Sequence, residues 1–152
     1  MRAPILFLAA LYAATGTAAA APHALRAEQG GTYAAGGRCS SAEAARIVLS
    51  GDRVEIREKR SRRILFIESF CALNCQIAPP SDPRSEFSAS LVRRPEDRGK
   101  DSDPFDETAL KINADGRPGI VTLTNGAPGT YQGRSRSALR HLHDRPFMRC
   151  PG

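Results

Sequence analysis

Residues 46–75 read RIVLSGDRVEIREKRSRRILFIESFCALNC and contain three runs rich in apolar residues. The first two runs meet at Gly51 and Asp52, a glycine-first pair that suits a type II′ hairpin turn. In the second run, residues 54–57 alternate apolar and charged side chains, which predicts a strand with one buried face. The third run, residues 64–67, follows a basic turn at residues 59–63 and is continuously apolar, which predicts a more buried strand. The segment therefore predicts a three-stranded meander.

Further β-prone segments lie on both sides of this meander. Residues 32–34 predict a short strand, and residues 86–93 place alternate apolar side chains on one face. Residues 108–113 and 119–124 flank an Asp-Gly turn, which is the strongest short hairpin signal in the chain. Residues 130–132 predict one more short strand. Together these segments predict a partly open barrel or a sandwich of six to eight strands.

Two short helices are predicted beside the strands. Residues 40–43 read SSAE, which matches a helix capping box and predicts a helix over residues 41–46. Residues 137–144 read SALRHLHD and place apolar side chains on one helical face, with Pro146 ending the helix. The fold class expected is mainly β (β-rich α+β), a small disulfide-tied β-barrel or sandwich with a short N-terminal helix and a C-terminal helix.

The first 20 residues have the three parts of a secretory signal peptide. Arg2 supplies the positive charge, residues 5–14 are apolar, and small residues precede a cleavage point after Ala20. The apolar run is about half the roughly 20 residues that a membrane span needs. We therefore predict a signal peptide at 1–20, a flexible leader at 21–37 and a single β-rich domain at 38–152. The protein is expected in the periplasm or the extracellular space, in a Gram-negative bacterium.

The chain has four cysteines, Cys39, Cys71, Cys75 and Cys150. An even number of cysteines in an exported chain predicts disulfides, and three pairings of four cysteines are possible. We favour a pairing in which Cys71 and Cys75 each bond to one of the two distant cysteines. Such long loops would stabilise the fold most, typically by about 2–4 kcal/mol for each bridge.

The formal net charge is +6, and it is concentrated in two segments. Residues 57–63 and residues 133–150 each carry five basic residues and one acidic residue, while the rest of the exported chain is mildly acidic. This polarity predicts a basic surface facing an anionic partner, such as an envelope lipid, an acidic polymer or an acidic protein patch. The predicted anion-binding residues are Arg57, Lys59, Arg60, Arg62, Arg63, Arg136 and Arg140.

These features favour a non-enzymatic binding protein with no cofactor, and two alternatives stay open. His141 and His143 are candidates for a metal-binding or hydrolytic site if the segment is extended, because on a helix the two side chains would diverge. Alternatively, the protein would be a periplasmic inhibitor of a hydrolase that acts through a protruding loop at residues 95–104. Nucleic acid is disfavoured as a partner because the basic runs lack interleaved aromatic residues. The sequence leaves the oligomeric state open.

Overall fold

The computed structural model describes residues 22–71, 77–100, 108–125 and 138–152. Over these residues the chain forms a closed barrel in which each antiparallel strand pairs with the next and the last returns to the first. The strands are β1 (Gly31–Ala35), β2 (Arg46–Ser50), β3 (Arg53–Glu58), β4 (Ser61–Cys71), β5 (Phe87–Val92), β6 (Thr108–Ile112), β7 (Ile120–Asn125) and β8 (Phe147–Arg149). The mainly β fold is confirmed, and the barrel is closed rather than partly open or a sandwich.

The predicted meander is β2, β3 and β4. Ser50 pairs with Arg53 across a two-residue turn in which Gly51 has a φ of 59°, the backbone conformation that favours glycine. The second turn contains only Lys59 and Arg60, since Glu58 already pairs with Ser61. Residues 61–63, which we predicted as part of a turn, therefore belong to β4.

β4 is the longest strand, with 11 residues, because it pairs with two neighbours at different heights. Its first half pairs with β3 and its second half pairs with β5, and Phe66 is the point at which the two pairings meet. A register shift between Ile67 and Ser69 accompanies the change of partner. Such a stagger tilts the strands, as closure of a barrel requires.

β5 and the β6–β7 hairpin confirm the other strong strand predictions. β1 confirms the short strand at residues 32–34, which lies inside the segment predicted as a leader. β8 closes the barrel by pairing Phe147 with Ala35 on one side and with Val121 on the other. The strand predicted at residues 130–132 lies outside the described residues.

Both predicted helices are wrong over the described residues. Residues 41–45 form turns, and Arg46 donates hydrogen bonds to the carbonyl oxygens of Cys39 and Ser41. In the C-terminal segment only Arg140–Leu142 forms a 3-10 turn. Helices shorter than about 12 residues are marginal on their own, so pairing of the flanking residues with the barrel prevails.

The inward faces of the strands form one apolar core, in which Phe70 and Phe87 meet edge to face with ring centroids 5.8 Å apart. Leu25 packs against this core at the end of the barrel that holds the β2–β3 turn, where its backbone N–H donates to the carbonyl oxygen of Gly51. Leu139 and Leu142 are buried in the same core from the β7–β8 connection. An eight-stranded barrel is just wide enough for side chains to fill it.

A disulfide joins Cys39 to Cys150, with the Cα atoms 5.5 Å apart. The predicted pairing of Cys71 and Cys75 with these two residues is therefore wrong. Pairing of β8 with β1 places Cys150 beside Thr32, whereas the β1–β2 connection leaves β1 beside Phe147. This connection therefore folds back along β8 to reach Cys150, a closeness that depends on closure of the barrel. Cys71 is also disulfide-bonded, and Cys75 lies outside the described residues.

No helix in the described parts of the chain is long and apolar enough to cross a membrane.

Candidate functional site

Three connections meet at one end of the barrel and line an open pocket of about 460 Å³. They are the β1–β2 connection, the β3–β4 turn and the β7–β8 connection, which an antiparallel barrel places at the same end. We call this the barrel-end pocket. Its lining residues are Ala35, Arg38, Glu43, Ala45, Glu58, Lys59, Arg60, Ser61, His141, Leu142 and Arg145.

The charged lining of the barrel-end pocket is mostly basic, with four basic residues against two acidic ones. Lys59 Nζ lies 2.7 Å from Glu43 Oε2, and both side chains are largely exposed. Arg38, Arg60 and Arg145 are exposed and form no ion pair with any residue that the structure describes. Three arginines without an acidic partner among the described residues therefore line the pocket.

Glu58 connects the two basic segments that the sequence singled out. His141 Nε2 lies 2.6 Å from Glu58 Oε1, and Ser61 Oγ donates to Glu58 Oε2 over 3.0 Å. Partial burial raises the pKa of Glu58, but the hydrogen bonds from His141 and Ser61 and the charges of His141 and Arg63 outweigh it and hold the pKa below its ordinary value. Glu58 is therefore ionised at neutral pH and fixes the β3–β4 turn to the β7–β8 connection.

The predicted anion-binding residues divide into three groups. Lys59 and Arg60 line the barrel-end pocket, and exposed Arg140 precedes His141 in the chain. Arg63 pairs with inward-facing Ile56, so its side chain lies on the inner side of β4 near this end. Arg57 and Arg62 lie on the outer face of the barrel. Arg136 lies outside the described residues.

Arg57 and Arg62 lie on the outer face of the barrel and share one carboxylate. Each donates a hydrogen bond to Glu55, and Arg53 Nη2 lies 3.5 Å from the same carboxylate. The Glu55 side chain is 7% exposed, whereas Arg57 and Arg62 are more than half exposed. Hydrogen bonds from Arg62 and then Arg57, with their charges, lower the pKa of Glu55 to about 2 against an opposing effect of burial. Glu55 thus holds Arg57 and Arg62 in fixed positions. Because one carboxylate faces more than one arginine, this face keeps a net positive charge.

His141 and His143 do not form a metal site with the residues described here, among which no group of three or more metal-ligating side chains occurs. Burial lowers the pKa of His143, against an opposing charge on Asp144. An acid does approach His141, as the hydrolytic alternative requires. However, the Ser61 hydroxyl donates to the Glu58 carboxylate. A serine nucleophile would instead need its hydroxyl beside the imidazole of His141, which would act as the base.

The proposed inhibitory loop at residues 95–104 is described only as far as residue 100. This part lies against the barrel, because Arg98 donates to the carbonyl oxygen of Ile67 and to the carboxylate of Asp52. The backbone N–H of Gly99 also donates to Glu68. Residues 101–104 lie outside the described residues, so an inhibitory loop there stays a prediction.

Sequence reasoning missed Arg38, Arg145 and the connecting role of Glu58. Arg145 lies in the basic C-terminal segment, so its charge was visible but its position was not. Arg38 precedes Cys39, and it lies near the C-terminal segment because Cys39 is bonded to Cys150 and the backbone N–H of Gly36 donates to the carbonyl oxygen of Pro146. Glu58 was the one acid in a basic run, a pattern that signals a buried or shared partner.

Comparison of the chain with protein families, with curated proteins and with solved structures gave no match.

Proposed function

We propose that the protein is an exported, non-enzymatic binding protein whose basic barrel end binds an anionic partner. The observation that supports this proposal best is the contact between Glu58 and His141, which are 83 residues apart in the sequence. This contact lies where the basic β3–β4 turn and the basic C-terminal segment meet at one end of the barrel. Two charge clusters that are separate in the sequence then act as one surface.

The electrostatics of this end favour an anion. Charges of one sign around a cleft raise the local concentration of oppositely charged ligands and speed their association. Arg63 and Arg140 add to the charge of the barrel-end pocket, and Arg57 and Arg62 extend it along the outer face of β3 and β4. Exposed charges of this kind are screened by salt within about 10 Å at 0.1 M ionic strength.

The partner classes that fit are an anionic envelope lipid, an acidic polymer and an acidic protein surface. The predicted signal peptide supports a periplasmic or extracellular location, in which these anions are available and nucleic acid is rare. The Cys39–Cys150 disulfide fits an oxidising compartment.

The test is binding of the exported, oxidised protein to anionic and to neutral lipid vesicles over a series of salt concentrations. We expect binding to the anionic vesicles alone, with an affinity that falls steeply as salt rises. The double variant Arg60→Gln/Arg140→Gln should bind roughly tenfold to thirtyfold more weakly, since each basic residue near an anionic surface contributes about 1 kcal/mol.

The matched control is Arg84→Gln. Arg84 is an exposed arginine in the β4–β5 connection, which an antiparallel barrel places at the opposite end from the pocket. This variant should bind as the unchanged protein does. Equal binding by the double variant and the unchanged protein would contradict a recognition role for the basic barrel end.

A further inference from the structure

Arg38, Arg60 and Arg145 come from three different connections and line one pocket. Among the described residues, none of the three has an acidic partner, whereas Lys59 is paired with Glu43. Glu58 is occupied by His141 and Ser61, so its charge is partly satisfied before a ligand arrives. Three arginines without an acidic partner therefore line the pocket, and a single carboxylate could not satisfy all three.

The pocket also has an apolar part. Leu142 and Ala35 are buried, Ala45 is partly buried, and all three line the pocket beneath the charged side chains. A volume of about 460 Å³ lies within the range of pockets that hold small ligands, about 300–1,000 Å³. A single inorganic ion would fill only a part of this space.

We propose that the barrel-end pocket binds a phosphate monoester carried on a ring-sized body, with Arg38, Arg60 and Arg145 contacting the phosphate oxygens. A phosphate monoester carries a charge of about −1.5 to −2 and three strong acceptor oxygens, so it can satisfy several guanidinium groups at once. Arginine also binds phosphate through two parallel hydrogen bonds. The apolar residues beneath contact the body of the ligand. This inference rests on the proposed function, of which it names the ligand class.

The phosphate monoester could belong to a soluble sugar phosphate or to a lipid headgroup, and two experiments distinguish these sources. In the first, glucose 6-phosphate, glucose and inorganic phosphate are titrated into the exported, oxidised protein by calorimetry. In the second, the protein is mixed with vesicles containing either phosphatidic acid, a phosphate monoester, or phosphatidylglycerol, a phosphate diester. Preference for glucose 6-phosphate over glucose and phosphate, or for phosphatidic acid over phosphatidylglycerol, supports the proposal and identifies the source.

Variants locate the binding. Arg38→Gln and Arg145→Gln should each weaken binding of the preferred monoester roughly tenfold, because each removes a hydrogen-bonded charge. Arg84→Gln, at the opposite end of the barrel, should leave the affinity unchanged. Thermal unfolding checks that each variant remains folded, and both pocket residues are exposed, so we expect no loss of stability.

Two results would overturn this inference. One is binding of phosphatidic acid and phosphatidylglycerol vesicles with equal affinity together with no binding of glucose 6-phosphate. In that case the proposed function survives if Arg60→Gln/Arg140→Gln still weakens vesicle binding. The other is a loss of monoester affinity in Arg84→Gln as large as the loss in Arg38→Gln. Absence of binding to every anionic probe would reject both proposals.

Discussion

Glu58 has two opposing effects at the barrel end. Its carboxylate connects Ser61 and His141, yet it also brings a negative charge into a pocket proposed to bind anions. Glu58→Gln should lower the free energy of unfolding by about 0.5–1 kcal/mol, as expected for a partly exposed pair. The same variant should bind anionic vesicles more tightly, because the pocket loses a repelling charge. Urea unfolding and vesicle binding measure the two effects, and weaker vesicle binding in a Glu58→Gln variant that keeps its full stability would contradict an anion-binding pocket beside Glu58.

Glu55 makes the stability of the barrel depend on pH. Its pKa lies at about 2 in the folded protein, below the ordinary value of 4.5, because Arg62 and Arg57 stabilise the charged form. A lowered pKa contributes stability that is fully present above pH 4.5 and is lost as the pH falls towards 2. Urea unfolding over this pH range should show the loss, and Glu55→Gln should show a smaller one. An identical pH dependence in the two proteins would argue against the arginine cluster.

β8 is the short strand that closes the barrel, and its two faces should differ in importance. Phe147 is fully buried, whereas Met148 is 44% exposed. Phe147→Ala should destabilise the protein by about 3–5 kcal/mol, because it removes a large side chain from the core. Met148→Ala is the matched control and should cost less than about 1 kcal/mol. Similar losses in chemical denaturation would mean that β8 does not pack as described.

The Cys39–Cys150 disulfide fixes the β1–β2 connection to the end of β8 and closes a loop with a sequence separation of 111 residues. Replacing both cysteines with serine should lower the free energy of unfolding by about 2–4 kcal/mol. It should also weaken anion binding, because Arg38 adjoins Cys39 and would no longer be held at the pocket. Chemical denaturation and vesicle binding test the two effects, and unchanged values in both would show that the bond is dispensable.

The strands could be predicted to the extent that their signals were local. Alternation of apolar residues and the turns at Gly51 and at Gly116 identified β2, β3, β6 and β7 from short windows of sequence. β8 could not be identified in this way, because its three residues depend on pairing with β1 and β7, far away in the chain. The helix prediction at residues 137–144 failed for the same reason. A helix this short gains little stability from its own amphipathic pattern, so packing of Leu139 and Leu142 onto the distant core decides the conformation instead.

On the scale of the whole molecule, charge polarity was visible in the sequence, but its spatial arrangement was not. The basic turn and the basic C-terminal segment could have lain at opposite ends of the fold. Their convergence depends on the number of strands between them, because connections in an antiparallel barrel alternate between the two ends. An even number of strands, β4 to β7, lies between the β3–β4 turn and the β7–β8 connection, which places them at the same end.

The most direct test of this convergence is NMR mapping of the isotope-labelled, oxidised protein during titration with soluble polyphosphate. We predict that backbone amide shifts change together at Lys59 and Arg60 and at His141 and Arg145, and saturate with one affinity. The amide of Arg84, at the other end, should not move. Shifts confined to one basic segment, or distributed equally over both ends of the barrel, would contradict a single anion-binding surface.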